Sequence, residues 1–212
     1  MLIPPGIVYF VPAALVILLV PGPAVIYIST KSLAEGKRAG LVSVLGVQLA
    51  DLTHALFAAA GLSAILLTSS LAFDVVKFLG AGYLIYLGLR SILSREDRST
   101  AQSLPVRTKP STVFVNGFLV DLLNPKTALF FYAFLPQFVG PPAGTAAAEQ
   151  ILVLGIVFVL LGLCTDSSYA LFGSLVRNLL SKTSRFRKSG KYLTGGIYLA
   201  IGVIAATVNS KD

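Results

Sequence analysis

Long apolar runs alternate with short polar breaks along the whole chain, and the runs outlast ordinary strands or core helices. A hydrocarbon core about 30 Å thick is crossed by roughly 20 apolar residues in a helix that rises 1.5 Å per residue. Six stretches reach that length, at 7–30, 39–67, 73–93, 111–138, 147–176 and 191–208. Ser69-Ser70 and Gly140-Pro141-Pro142-Ala143-Gly144 are turn material between them, and a polar linker at 94–110 divides the chain. The pattern predicts an all-α integral membrane protein with six transmembrane helices. Pro21 and Pro23 leave a second reading of the first stretch open, as a re-entrant segment in a five-span chain.

The two halves resemble each other. Asp51-Leu-Thr-His54-Ala-Leu-Phe57 in the second stretch matches Asp166-Ser-Ser-Tyr169-Ala-Leu-Phe172 in the fifth, at an offset of 115. Lys77-Phe-Leu-Gly-Ala-Gly82 in the third matches Lys191-Tyr-Leu-Thr-Gly-Gly196 in the sixth, at an offset of 114. The first and fourth each carry a mid-helix proline motif, Pro21-Gly22-Pro23 and Asn124-Pro125-Lys126. Three spans per half is an odd number, so the second half must lie upside down on the first. The expected architecture is a 3+3 inverted repeat, residues 1–93 and 111–212, joined by the basic linker 94–110. Carriers of that plan hold their site at the midplane between repeats.

Composition agrees with burial in lipid. Residues are 55% hydrophobic and 12% charged, with mean hydropathy +0.83, against about a quarter charged in soluble domains. The net charge of +8 would suggest a nucleic-acid partner in a soluble protein, but fourteen of the seventeen basic residues fall in the first, third and fifth loops. The positive-inside rule makes those odd loops cytoplasmic and puts both termini outside; no nucleic acid is expected. Residues 1–10 have no basic n-region, so a cleavable signal peptide is not expected. Cys164 is the single cysteine, which excludes an intrachain disulfide and a cysteine-based zinc site; it reads as a small packed residue.

Candidate chemistry lies at the breaks and the buried acids. Proline inside a helix frees backbone groups that lipid cannot satisfy, so a broken span needs protein or a water-filled cavity around it. Pro21, Gly22 and Pro23, and Asn124 and Pro125, lie about 20 Å into their spans, near mid-bilayer. A half-helix N-terminus favours a carboxylate, and Lys126 can add a cation there. Charges at that depth are expensive, which makes Asp51, Asp121 and Asp166 candidates for proton or ammonium handling. Gln48, Asp51 and His54 recur every three residues and form one polar stripe; an Asp51–His54 pair can pass a proton. Asp166 has Thr165, Ser167 and Ser168 beside it to hydrate it, and Asp121 can neutralise Lys126 five residues on. Gly80, Gly82, Gly88, Gly195, Gly196 and Gly202 suit close helix packing, within a protomer or between protomers. No Walker A, HExxH, GxSxG or paired GxGD motif is present, so neither enzyme nor ATPase is expected, and no cofactor.

These residues resemble the lysine-exporter (LysE/RhtB) family of amino-acid efflux proteins nearly end to end. The resemblance rests on Pro21-Gly22-Pro23, on Gly46 to Gly61, on the run from Lys77 to Gly88, and on Leu123-Asn-Pro-Lys126 followed by Phe134-Leu-Pro-Gln-Phe138. It implies export of basic, small neutral or hydroxylated amino acids, coupled to proton influx, in a bacterial plasma membrane. By position, Pro21, Gly22, Pro23, Asn124, Pro125 and Lys126 match the family's signature sites, and Asp51 a position often acidic there. Asp121, where a neutral polar residue is commoner, and Ala50, in place of a frequent glycine, depart from it. The expected protein is therefore a homodimeric amino-acid/proton antiporter in contact with lipid. A carrier of a metal cation or another small metabolite stays open beside it, because Asp51, Asp121, Asp166 and His54 offer oxygen and nitrogen ligands; an intramembrane enzyme is a more distant rival.

Overall fold

A computed structural model describes residues 4, 6–61, 70–93, 108–140, 145–180, 196, 199, 200 and 203. Most of the sixth predicted span, of the 94–110 linker and of the fifth loop lies outside the described residues. The described elements are α1 (Ile7–Leu19), α2 (Pro23–Glu35), α3 (Lys37–Ala59), α4 (Ser70–Leu93), α5 (Pro110–Leu122), α6 (Pro125–Leu129) and α7 (Thr145–Leu180). A π-helical turn, Phe130–Phe134, and a 3-10 turn, Leu135–Phe138, continue from α6. No strand occurs among the described residues.

The breaks follow from proline chemistry. The residue before a proline is driven out of the helical region, and proline itself suits the first helical position, where no N–H is needed. Val20, ahead of Pro21, is extended (ψ 117°) and closes α1; Gly22 is extended, and Pro23 starts α2. Asn124, ahead of Pro125, is likewise extended (ψ 112°), and Pro125 starts α6. The paired segments bend by 53° at the first break and 51° at the second. If each bent pair is one span, four candidate spans stand among the described residues: the two pairs, α3, and the apolar part of α7. α4 is a 24-residue helix over the third predicted stretch. The first span runs five residues past its predicted end, to a one-residue turn at Gly36, whose φ of +94° suits only glycine readily.

The two bent pairs run in opposite directions. At one end Thr108, just ahead of α5, donates its N–H and its hydroxyl to Glu35 at the end of α2 (3.1 and 2.8 Å). At the other end Phe10 of α1 packs edge-on against Phe138, with ring centroids 5.4 Å apart. Between them α3 is central, lying along α5, α7 and α2. Gly46 of α3 fits directly against the Phe114 carbonyl of α5, an approach that no side chain would allow.

Polarity is arranged inside out. Val8, Val16, Leu45, Leu56, Leu160 and Phe172 are exposed, whereas Gln48, Asp51, His54, Asp121, Asn124, Thr127 and Asp166 are buried. Such a chain is an integral membrane protein. One packing expectation needs correction: Cys164 is exposed on α7, not packed inside. A Cβ added at Gly82 or Gly196 would meet nothing within 4 Å among the described residues.

Candidate functional site

The two breaks meet. Lys126, the second residue of α6, reaches across and donates from Nζ to the Val20 carbonyl at the end of α1. Its side chain lies against Gly22, 3.1 Å from where a Cβ would stand. Beside this crossing is a cavity of about 40 Å³, lined by the polar side chains of Asp51, Asp121, Asp166, Asn124, Lys126 and Thr127. That volume holds on the order of two or three water molecules and is too small for an amino acid. Ile17, Leu18, Phe130 and Phe158 add apolar lining.

The depth of the site can be counted along the helices. Asp51 is about 21 Å from Lys37 along α3, and Pro23 about 18 Å from Glu35 along α2. Asp121 is about 17 Å from Pro110, and Asp166 about 17 Å from Arg177. Lys37, Glu35, Pro110 and Arg177 all line one opening, so these four measures start from a common basic end.

Each polar group has a traceable role. Asn124 caps α6: its Oδ1 accepts from the Lys126 N–H at 3.1 Å, while Nδ2 donates to Asp121 Oδ1 (3.2 Å) and Thr127 Oγ1 (2.9 Å). Thr127 in turn donates to Asp121 Oδ1 at 2.8 Å. Asp121 Oδ2 is buried without a hydrogen-bond donor, and the buried Asp51 lines the same cavity. At the other break Gly22 gives α2 no side-chain cap, which leaves the Ala24 and Val25 N–H groups as first-turn donors without an intrahelical acceptor. Both residues border the cavity.

Three expectations about neighbours are corrected. Asp166 is held by Gln48, whose Nε2 donates to Oδ2 at 2.9 Å; Thr165 and Ser168 instead bond carbonyls of their own helix. Asp121 does not pair with Lys126: the single ion pair among the described residues is Lys31–Glu35. His54 shares a helix face with Asp51 but is not bonded to it and does not line the cavity. Its Nε2 faces the Asp121 carbonyl at 3.3 Å and its Nδ1 the Tyr132 hydroxyl at 2.8 Å. A carbonyl only accepts, so Nε2 carries a proton, and whenever the ring is neutral Nδ1 accepts from the Tyr132 hydroxyl.

The matched aromatic positions of the two halves make matched bonds. His54 reaches the Asp121 carbonyl in the last turn of α5, and Tyr169 donates to the Leu19 carbonyl at the end of α1, at 2.9 Å. Each half thus satisfies a carbonyl freed by the other half's break. Thr127 and Tyr132 escaped the sequence reading. The spacing Asn124-x-x-Thr127 was a usable signal for the first; nothing local marked the second.

Comparison with known proteins agrees with this geometry. Residues 15–208 match the family described as LysE type translocator. The leucine efflux protein of Klebsiella pneumoniae is 29% identical over 201 residues, covering 93% of this chain and 92% of that protein. The leucine efflux protein of Salmonella typhimurium is 27% identical with the same coverage. An uncharacterized membrane protein, YrhP, of Bacillus subtilis is 27% identical over 202 residues, covering 92% of this chain and 95% of its own. No solved structure matches. With its broken helices, buried acids and end-to-end match, the chain belongs to the LysE type translocator family.

Proposed function

We propose that this chain exports an amino acid with an aliphatic side chain across the bacterial plasma membrane, in exchange for a proton. The observation that carries the reading is the convergence of both helix breaks and three buried acids on one cavity. Its lining matches a zwitterion in chemistry, and the cavity must widen beyond its 40 Å³ to admit one. The substrate carboxylate meets Lys126 and the free Ala24 and Val25 N–H groups, aided by the α2 dipole. The ammonium meets Asp51, Asp121 and Asp166, and the side chain lies against Ile17, Leu18, Phe130 and Phe158. An aliphatic substrate also agrees with the two relatives named for leucine efflux.

Proton coupling follows from charge balance. Three carboxyl groups around one ammonium leave excess negative charge in a low-dielectric interior, where an unpaired charge is costly. A proton at the carboxyl cluster restores the balance when no substrate ammonium is bound. Alternation of the two loads is antiport. The reciprocal bonds of His54 and Tyr169 support an inverted repeat of two three-helix units, with the basic end cytoplasmic and both termini outside.

A metal-cation carrier is the weaker reading, because no group of three His, Cys, Asp or Glu residues could hold a metal among the described residues. The test is counterflow of radiolabelled amino acids in proteoliposomes under an imposed pH gradient. Leucine uptake driven by the gradient, and lost in Asp51→Asn that still inserts and folds, is the expected result. Gradient-independent movement, or full activity of Asp51→Asn, removes proton exchange at Asp51.

A further inference from the structure

A second and larger opening, of about 520 Å³, lies at the basic end, where α3 and α5 begin beside the last turns of α7. Lys37, Arg38, Lys109 and Arg177 line it. The Arg177 guanidinium lies over the Gly36 turn, with Nη1 3.7 Å from the position of a Cβ there. Glu35 brings the wall's negative charge, and it is already engaged by Lys31 (2.6 Å) and by the Thr108 N–H and hydroxyl. Among the described residues, none of the four cations has a carboxylate within 4 Å.

The helix ends sharpen this excess. A helix N-terminus carries partial positive charge and unpaired N–H groups, and it is stabilised by acids in its first turn. Neither α3 nor α5 has an acid in its first turn or a side-chain cap. Lys37 and Arg38 are instead the first two residues of α3, and Lys109 is the N-cap of α5. Four cations and two helix N-termini therefore face one cavity with no carboxylate to compensate them among the described residues, an arrangement that a phosphate oxyanion relieves.

We propose that this vestibule binds the phosphate headgroup of an anionic phospholipid. The opening sits where the helices end, at headgroup level, and α3 and α5 continue from it into lipid-exposed apolar surface at Leu45 and Val115, where acyl chains would lie. Basic pockets between membrane helices recognise such headgroups. The site is separate from the central cavity, and its occupancy can be read without any transport measurement.

The test uses the full chain in neutral detergent, with phosphatidylglycerol, phosphatidylcholine of the same acyl chains and inorganic phosphate as probes. Native mass spectrometry reads occupancy, and thermal unfolding reads protection. Phosphatidylglycerol is expected to bind more tightly than phosphatidylcholine and to weaken with added salt. The double variant Lys109→Gln/Arg177→Gln should weaken it by about 25-fold, at about fivefold per charge removed, and Lys109→Arg/Arg177→Lys should restore it. Equal binding of the two lipids, or undiminished binding to the glutamine variant, overturns the proposal. Inorganic phosphate displacing phosphatidylglycerol at equal concentration overturns the lipid assignment in favour of a free anion. Should the glutamine variant fail to fold, the lipid pair and the salt titration on the unmodified chain decide alone.

Discussion

Gly46→Ala adds one carbon at the closest helix crossing in the molecule's centre. That carbon would stand 2.2 Å from the Phe114 carbonyl oxygen and 3.0 Å from the Phe118 nitrogen of α5. Carbon and oxygen settle at about 3.3 Å or more, so α3 and α5 must separate by about 1 Å. Both obstructing atoms are backbone, and no side chain can rotate away to relieve them. Overpacking of this kind costs about 1–3 kcal/mol, which for a chain of this size lowers the melting midpoint by roughly 2–10 °C. The displacement also acts on function, since α3 carries Asp51 and α5 carries Asp121, and both line the central cavity. The chain has no tryptophan, so unfolding is followed by far-ultraviolet circular dichroism in detergent, beside leucine counterflow. Gly82→Ala is the control: nothing lies within 4 Å of its added carbon, and helix propensity favours it by up to about 1 kcal/mol. A Gly46→Ala protein that melts with the unmodified chain would refute the close approach of α3 and α5.

Two further outcomes are expected. Asn124→Ala removes the cap of α6 and the donor shared by Asp121 and Thr127, and should lower stability by about 1 kcal/mol or more while abolishing counterflow; Asn124→Ser, which can still cap, should recover most of the stability, and equal melting of the two variants would discount the cap. Tyr132→Phe deletes the donor to His54 Nδ1 at a cost of about 1 kcal/mol but leaves counterflow intact, because the pair lies outside the cavity; lost transport at unchanged stability would return His54 to the proton path.

The breaks and the acids were legible because each is expensive. Proline in a helix and a carboxylate in lipid persist only with compensation, so Pro21, Pro23, Pro125, Asp51, Asp121 and Asp166 announce a shared site. Partners across helices were not legible. Gln48 meets Asp166 at a separation of 118 residues and His54 meets Tyr132 at 78, and both depend on how α3 is rotated about its axis. Hydropathy fixes that rotation in a soluble helix through the contrast between core and water. In a membrane helix both faces are apolar. For that reason Cys164 looked like a packed position and is exposed, and Phe158 carried no mark that set it apart from other buried phenylalanines. The depth match between the two breaks survived because it depends only on counting residues along each helix.

That depth has an electrical meaning. A charge travelling from the basic end to the carboxyl cluster covers about 17–21 Å of a hydrocarbon layer about 30 Å thick. That path crosses more than half of the membrane voltage, worth on the order of 1.3 kcal/mol per elementary charge at 100 mV. Under the proposed exchange it is the departure of the proton toward the basic end that the voltage drives, while a zwitterion, without net charge, feels none, and the energised membrane acts on the carrier through its carboxyl groups.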